Sequence, residues 1–194
     1  MYSLIRRYGK PTLLNKSQRP INLFDKLVNS IISQQLSVIA ARSIKSKLYQ
    51  LMRASEFNPN HFFDTPIKEF KTCGLSQSKS SYIKSLASII NENADFLTNL
   101  QTLNNQIIIK KLTEIKGIGP WTAQMFLMFA LNRLDVFAPQ DVGIIKGIRI
   151  IYSNKKYPSQ AKIQQITNKW KPYRTIGSWY MWQVADSQPL SNKN

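Results

Sequence analysis

Apolar residues recur at spacings of three and four along almost the whole chain, and strict alternation with β-branched residues is scarce. That periodicity predicts an all-α fold. Amphipathic helices are expected in LFDKLVNSIISQQ and SVIAARSIKSKLYQLM, separated near Leu36–Ser37, with Ser37 as the N-cap of the second. A third follows a turn at Cys73–Gly74, in SQSKSSYIKSLASIINEN, where serines start it. Another runs from about Asn104 to Ile115. A turn bounded by Gly117 and Gly119 separates it from PWTAQMFLMFALNR, whose Pro120 sits in the first turn, where no backbone N–H is needed. After the link LDVFAP a helix is expected near Gln140, and ITNKWKPYRTIGSWYMWQVA holds at least one more beyond Pro172. Residues 187–194 read as a frayed tail. At 194 residues and 43% hydrophobic content, the expectation is a single unit over 1–194 built from two helical lobes.

Charge narrows the partners. There are 27 Lys and Arg against 10 Asp and Glu, a formal charge of +17, and the basic residues run from Arg6 to Lys193. Such a balance favours a polyanion, nucleic acid before an anionic membrane surface. A biased base composition accounts for abundant Lys, Asn and Ile, but not for so few acids. The lone Cys73 excludes an internal disulfide, a Cys-rich zinc site and a four-cysteine iron–sulfur cluster, and no metal or other cofactor is expected. MYSLIRRYGK lacks an apolar signal core, and the longest apolar run, MFLMFAL, is far below the roughly 20 residues that span a bilayer. These features predict a soluble intracellular protein, cytoplasmic in a bacterium or nuclear in a eukaryote, with no membrane partner.

Residues 112–124 form a helix-hairpin-helix pattern. Gly117 and Gly119 can both take positive φ, and without side chains they let the turn's N–H groups approach a ligand. Together with the positive end of the next helix, those donors suit a backbone phosphate. Lys116, Gly117, Ile118, Gly119 and Thr122 are the candidate contacts. The same turn also reads as a Schellman-type stop between two core helices.

With LTEIKGIGPWTAQMFLMFALNRLDVFAPQDVGI, the chain resembles the helix-hairpin-helix/Gly-Pro-Asp (HhH-GPD) superfamily of base-excision DNA glycosylases. It is most similar to the alkylbase branch, DNA-3-methyladenine glycosylase II. SIISQQLSVIAARSI, CGLSQSKSSYIKSLA and WKPYRTIGSWYMW agree in the same order, so the likeness covers roughly Phe24 to Trp182. Starting almost directly at the helical region leaves no room for the N-terminal β domain of larger bacterial members. The resemblance implies a compact monomeric repair enzyme that flips alkylated purines out of double-stranded DNA and hydrolyses them off, leaving an abasic site.

Breaking an N-glycosidic bond puts positive charge on the sugar, so the site needs an anion beside the anomeric carbon. Asp141 follows FAP at a helix start and, by resemblance, is the catalytic aspartate; the bland alternative is a helix N-terminal carboxylate. Asp135 reads as structural. No second acid pairs with Asp141, which fits a cationic alkylated purine that leaves without being protonated. His61 reads as surface or structural. Trp121 and Trp182 match the family's pocket positions, where a flipped cationic base gains stacking and cation–π attraction; core packing is the rival reading. Met125 and Phe24 are further pocket candidates, and Trp170, Trp179 and Tyr180 read as core. By resemblance, Gln35 is the plug for the space a flipped base leaves, with Gln34 and Ser37 as neighbouring DNA contacts. The alternative is a polar break between helices. A lyase of the same fold needs a lysine two residues after the second hairpin glycine, and Trp121 stands there, which implies a monofunctional hydrolase. A non-catalytic helix-hairpin-helix DNA-binding module would need the hairpin and the charge but not Asp141.

Overall fold

In the computed structural model, residues 1–14, 20–153 and 157–187 are described, and the expected tail lies outside them from residue 188 onward. Among them are α1 (Tyr2–Tyr8), α2 (Leu23–Ser33), α3 (Val38–Leu51), α4 (Pro59–Asp64), α5 (Ile67–Thr72), α6 (Gln77–Glu92), α7 (Phe96–Leu100), α8 (Asn105–Thr113), α9 (Pro120–Phe129), α10 (Val142–Ile148), α11 (Gln160–Asn168) and α12 (Arg174–Ser187). No strand occurs among the described residues, so the all-α reading holds. None of their helices is long and apolar enough to cross a membrane. The chain divides into two compact units. Residues 20–131 form one, and 1–14, 132–153 and 157–187 form the other.

In the 20–131 unit, polar caps start the helices where the pattern places them. Asn22, Ser37, Ser76 and Asn104 each accept a backbone N–H three residues on, satisfying one of the donors every helix start leaves open. α2 buries Phe24, Leu27, Val28, Ile31 and Ile32, a stripe at helical spacing. α9 carries apolar residues on nearly every side and packs on both α2 and α8, which makes it central to this core. It ends at Phe129, short of the expected Arg133, because Asn132 turns left-handed at φ 51°. Phe57, Phe62 and Phe70 form a fully buried aromatic run, and Cys73 is buried in the same unit. The buried Asp25 accepts the Tyr49 hydroxyl at 2.8 Å and the Phe57 N–H at 3.0 Å. Burial is the main reason that Tyr49 is pushed up to about 12, so it stays protonated as a donor. His61 closes a capping box with Asn58 at the start of α4, a structural role.

In the other unit α10 lies against α12, which also touches α1 and α11. The approach is so close that a Cβ on Gly147 would fall 2.2 Å from the Met181 carbonyl oxygen. Only hydrogen fits there. Trp170, Trp179 and Tyr180 are buried, in line with the core reading. Asp135 receives the Arg174 guanidinium through Nε at 2.6 Å and Nη2 at 3.0 Å, and this pairing is why its carboxyl lies below the usual range. Asp135 therefore fastens the link before α10 to the start of α12.

Candidate active site

Asp141 is the N-cap of α10. Its Oδ1 accepts the Ile144 N–H at 2.8 Å, and the side chain is only 8% exposed. The indole Nε1–H of Trp182, on α12, donates to the same oxygen at 2.8 Å. Two N–H donors on one oxygen, from two helices, fix the rotamer of the carboxylate. The helix pair is set for this contact by glycine. A Cβ on Gly143 would lie 2.8 Å from Trp182 Cδ1 and 3.2 Å from Asp141 Oδ1. Gly143 and Gly147, four residues apart, share one face of α10, and both lie against α12. Lys146 completes the frame by donating its Nζ to the Ala185 carbonyl at 2.8 Å, where α12 is ending. The site thus offers an oriented anion beside an aromatic edge.

The hairpin lies in the 20–131 unit. α8 ends at Thr113, the Ile115 N–H closes on the Leu112 carbonyl at 3.1 Å, and the Ile118 N–H closes on that of Ile115 at 3.0 Å. Gly117 has φ 89° and packs so tightly that a Cβ would overlap the Tyr82 ring at 2.1 Å. Gly119, expected to share the positive φ, is instead the extended N-cap of α9 at φ −91°, and nothing lies within 4 Å of where its Cβ would be. One glycine serves packing and the other leaves the surface open. The N–H groups of Gly117 and Gly119 donate to no acceptor among the described residues. Lys116 is exposed beside them, and Lys110 and Lys111 occupy the last turn of α8.

Two expected contacts turn inward. Ile118 is buried and its N–H is engaged, so neither group faces a ligand. Thr122 is 1% exposed, and its hydroxyl accepts from Gln34 Nε2 at 2.8 Å. The Gln34 side chain was expected to face DNA but serves the hairpin, since the same Nε2 also donates to the Gly117 carbonyl at 2.9 Å. Ser37 caps α3 with its hydroxyl while staying on the surface. Gln35 is exposed, at φ 54°. Leu36, Val38 and Ile39 beside it are exposed too, Ile39 by 83%.

Of the pocket candidates, Trp121 is half-buried on α9, Met125 is buried on the same helix, and Phe24 is buried with its ring 6.1 Å from that of Phe62. These three belong to the 20–131 unit, whereas Trp182 and Asp141 belong to the other. Sequence reasoning missed Gly143, Tyr82 and Lys79. Only Gly143 left a signal, a glycine inside a helical pattern next to the aspartate.

Residues 28–172 match the family model described as "HhH-GPD superfamily base excision DNA repair protein". DNA-3-methyladenine glycosylase of Saccharomyces cerevisiae is 33% identical, over 96% of this chain and 76% of its own length. DNA-3-methyladenine glycosylase 1 of Schizosaccharomyces pombe is 31% identical, over 88% and 76%. A solved structure of the Schizosaccharomyces pombe 3-methyladenine DNA glycosylase in complex with abasic DNA superposes with a TM-score of 0.83 at 28% identity, covering 95% of this chain and 90% of that one.

Proposed function

Because the chain belongs to the HhH-GPD superfamily of base excision DNA repair proteins, we propose that it is a monofunctional DNA glycosylase of the 3-methyladenine II type. It excises alkylated purines from duplex DNA by hydrolysis and leaves an intact abasic strand. The observation that carries this reading is the Asp141 carboxylate, held at Oδ1 by the Ile144 amide and the Trp182 indole. The names of its relatives support the substrate class, and the yeast neighbour's abasic DNA supports the product.

An alkylated purine carries a positive charge and leaves as a neutral base when the N-glycosidic electrons move onto it. The positive charge passes to the sugar as an oxocarbenium-like species, which Asp141 stabilises. Water then attacks the anomeric carbon, and its proton passes to the carboxylate or solvent. Trp182, whose indole reaches Asp141, offers an aromatic face to the cationic base, an attraction of about 0.5–2 kcal/mol. The hairpin, through Lys116 and the amides of Gly117 and Gly119, holds backbone phosphate without reading sequence. Trp121 replaces the lysine on which lyase chemistry depends. The protein acts as a monomer, a single chain carrying both hairpin and aspartate.

Incubation with methylated duplex, resolved with and without alkali, tests the reaction type. Strand breaks should appear only after alkali, and a borohydride-trapped adduct would exclude the monofunctional reading. Asp141→Asn should bind duplex normally and lose base release; a folded variant that retains turnover would remove Asp141 from its role, whereas a wild-type chain that binds methylated duplex without releasing base would favour a DNA-binding module.

A further inference from the structure

Gln35 occupies an expensive backbone position. Gln34 has φ −53° and ψ 129°, Gln35 has φ 54°, and the Leu36 N–H returns to the Ser33 carbonyl at 3.3 Å. This is a type II turn with Gln35 at its third residue, where glycine or asparagine is the unstrained choice. The turn carries a long exposed side chain where a glycine would be easier to fold.

Two braces hold that conformation. Lys79 Nζ, reaching from α6, donates to the Ile32 carbonyl at 2.8 Å and to the Gln34 carbonyl at 2.6 Å, capping the end of α2. The Gln34 amide crosses in the other direction to the Gly117 carbonyl and the Thr122 hydroxyl, as described above. Lys79 lies one turn before Tyr82, against whose ring Gly117 packs, so α6 touches both the turn and the hairpin. Lys79 forms no ion pair among the described residues, and burial holds its ammonium below the usual lysine range. A cation desolvated against two carbonyls is a poor general stabiliser but a good fixture for one loop shape.

We propose that Lys79 and Gln34 are positioning residues that keep the Gln35 turn preformed against the phosphate-binding hairpin, so that its side chain is already ordered when a base leaves the stack. The proposal rests on the base-excision reading. An ordered turn has less entropy to lose on insertion, so the gain appears in the flipped-base complex and not in binding to plain duplex.

The test uses the full chain with Lys79→Met, which keeps the aliphatic stem and removes the donors, together with Lys79→Arg, Gln35→Ala and the Lys79→Met/Gln35→Ala double variant. Affinity is measured for a plain duplex and for one holding an abasic analogue, with 2-aminopurine opposite the analogue reporting local unstacking. Lys79→Met should keep plain-duplex affinity within about twofold while losing on the order of tenfold for the abasic duplex. Lys79→Arg should recover most of that loss and the 2-aminopurine signal. In the Gln35→Ala background the Lys79 change should have almost no further effect, because the brace acts through that side chain. Additive losses, or an unchanged abasic affinity in folded Lys79→Met, overturn the proposal alone. A wild-type protein that binds both duplexes equally also overturns the proposal alone, whereas one that releases no base from methylated duplex overturns the base-excision reading and the proposal with it. If Lys79→Met fails to fold, Gln34→Leu removes the second brace and is judged by the same criteria.

Discussion

Adding one methyl group at Gly143 should impair the carboxylate proposed as catalytic, Asp141, while leaving the chain folded. The new Cβ would stand 2.8 Å from Trp182 Cδ1, a side-chain atom on a ring that can swing, and 3.2 Å from Asp141 Oδ1. Carbon atoms rest comfortably at about 3.5 Å, so the indole must retreat by roughly 0.7 Å. That motion stretches the Nε1–Oδ1 bond from 2.8 Å toward the limit at which a hydrogen bond ceases to count. A hydrogen bond to a charged group contributes about 1.5–3 kcal/mol. If that loss falls on the orientation of Asp141 in the transition state, kcat should drop roughly 10- to 100-fold, at 1.36 kcal/mol per tenfold. Stability should fall by less than the full bond, because alanine within a helix gains about 0.5–1 kcal/mol over glycine and offsets part of the lost bond and the crowding. The assay is single-turnover base release from methylated duplex, paired with thermal unfolding and plain-duplex binding. A folded Gly143→Ala protein that releases base within twofold of wild type would refute the argument that the indole bond orients the carboxylate.

Gly147→Ala should fail differently, since its Cβ meets the Met181 backbone at 2.2 Å and no rotamer change relieves that; a loss of at least 1–3 kcal/mol in chemical denaturation is expected, roughly the cost of overpacking a core. At the hairpin, Gly119→Asp should stay folded, because nothing occupies the space of its Cβ, yet bind damaged and undamaged duplex more weakly in a salt titration. Gly117→Ala should instead lower the melting temperature, as it meets both φ 89° and the Tyr82 ring. Asp135→Asn should destabilise at neutral pH. The wild-type carboxyl is held below its unfolded pKa by Arg174, so its contribution is present above about pH 4 and fades as pH falls through the lowered folded value; melting curves of the two proteins should converge in acid.

Helix starts were legible because their chemistry is local. Ser37, Ser76 and Asn104 announce themselves by residue type, and Pro120 and Asp141 by position. Short helices such as α4, α5 and α7 were not, because five or six residues hold too few turns to display a period. Asp141 stood out by the loop before it and by the family resemblance, but its second donor could not be read. That contact joins positions 41 residues apart, and Gly143 and Gly147, which permit it, look in sequence like weak points of a helix. Gln34 read as a DNA contact by resemblance and Thr122 as part of the hairpin. Here they bond to each other across 88 residues, a partnership with no local signature.

The lone cysteine supplies something of use at the bench. Cys73 is 6% exposed inside the 20–131 unit, while Trp170, Trp179 and Trp182 belong to the other and only Trp121 shares the cysteine's. Thiol labelling therefore clocks the opening of one unit, and tryptophan emission, with three of the four tryptophans in the other unit, is weighted toward that one. The wild-type chain thus carries a separate native reporter for each half, and comparing labelling with fluorescence along one denaturant series reads their cooperativity without an introduced dye site.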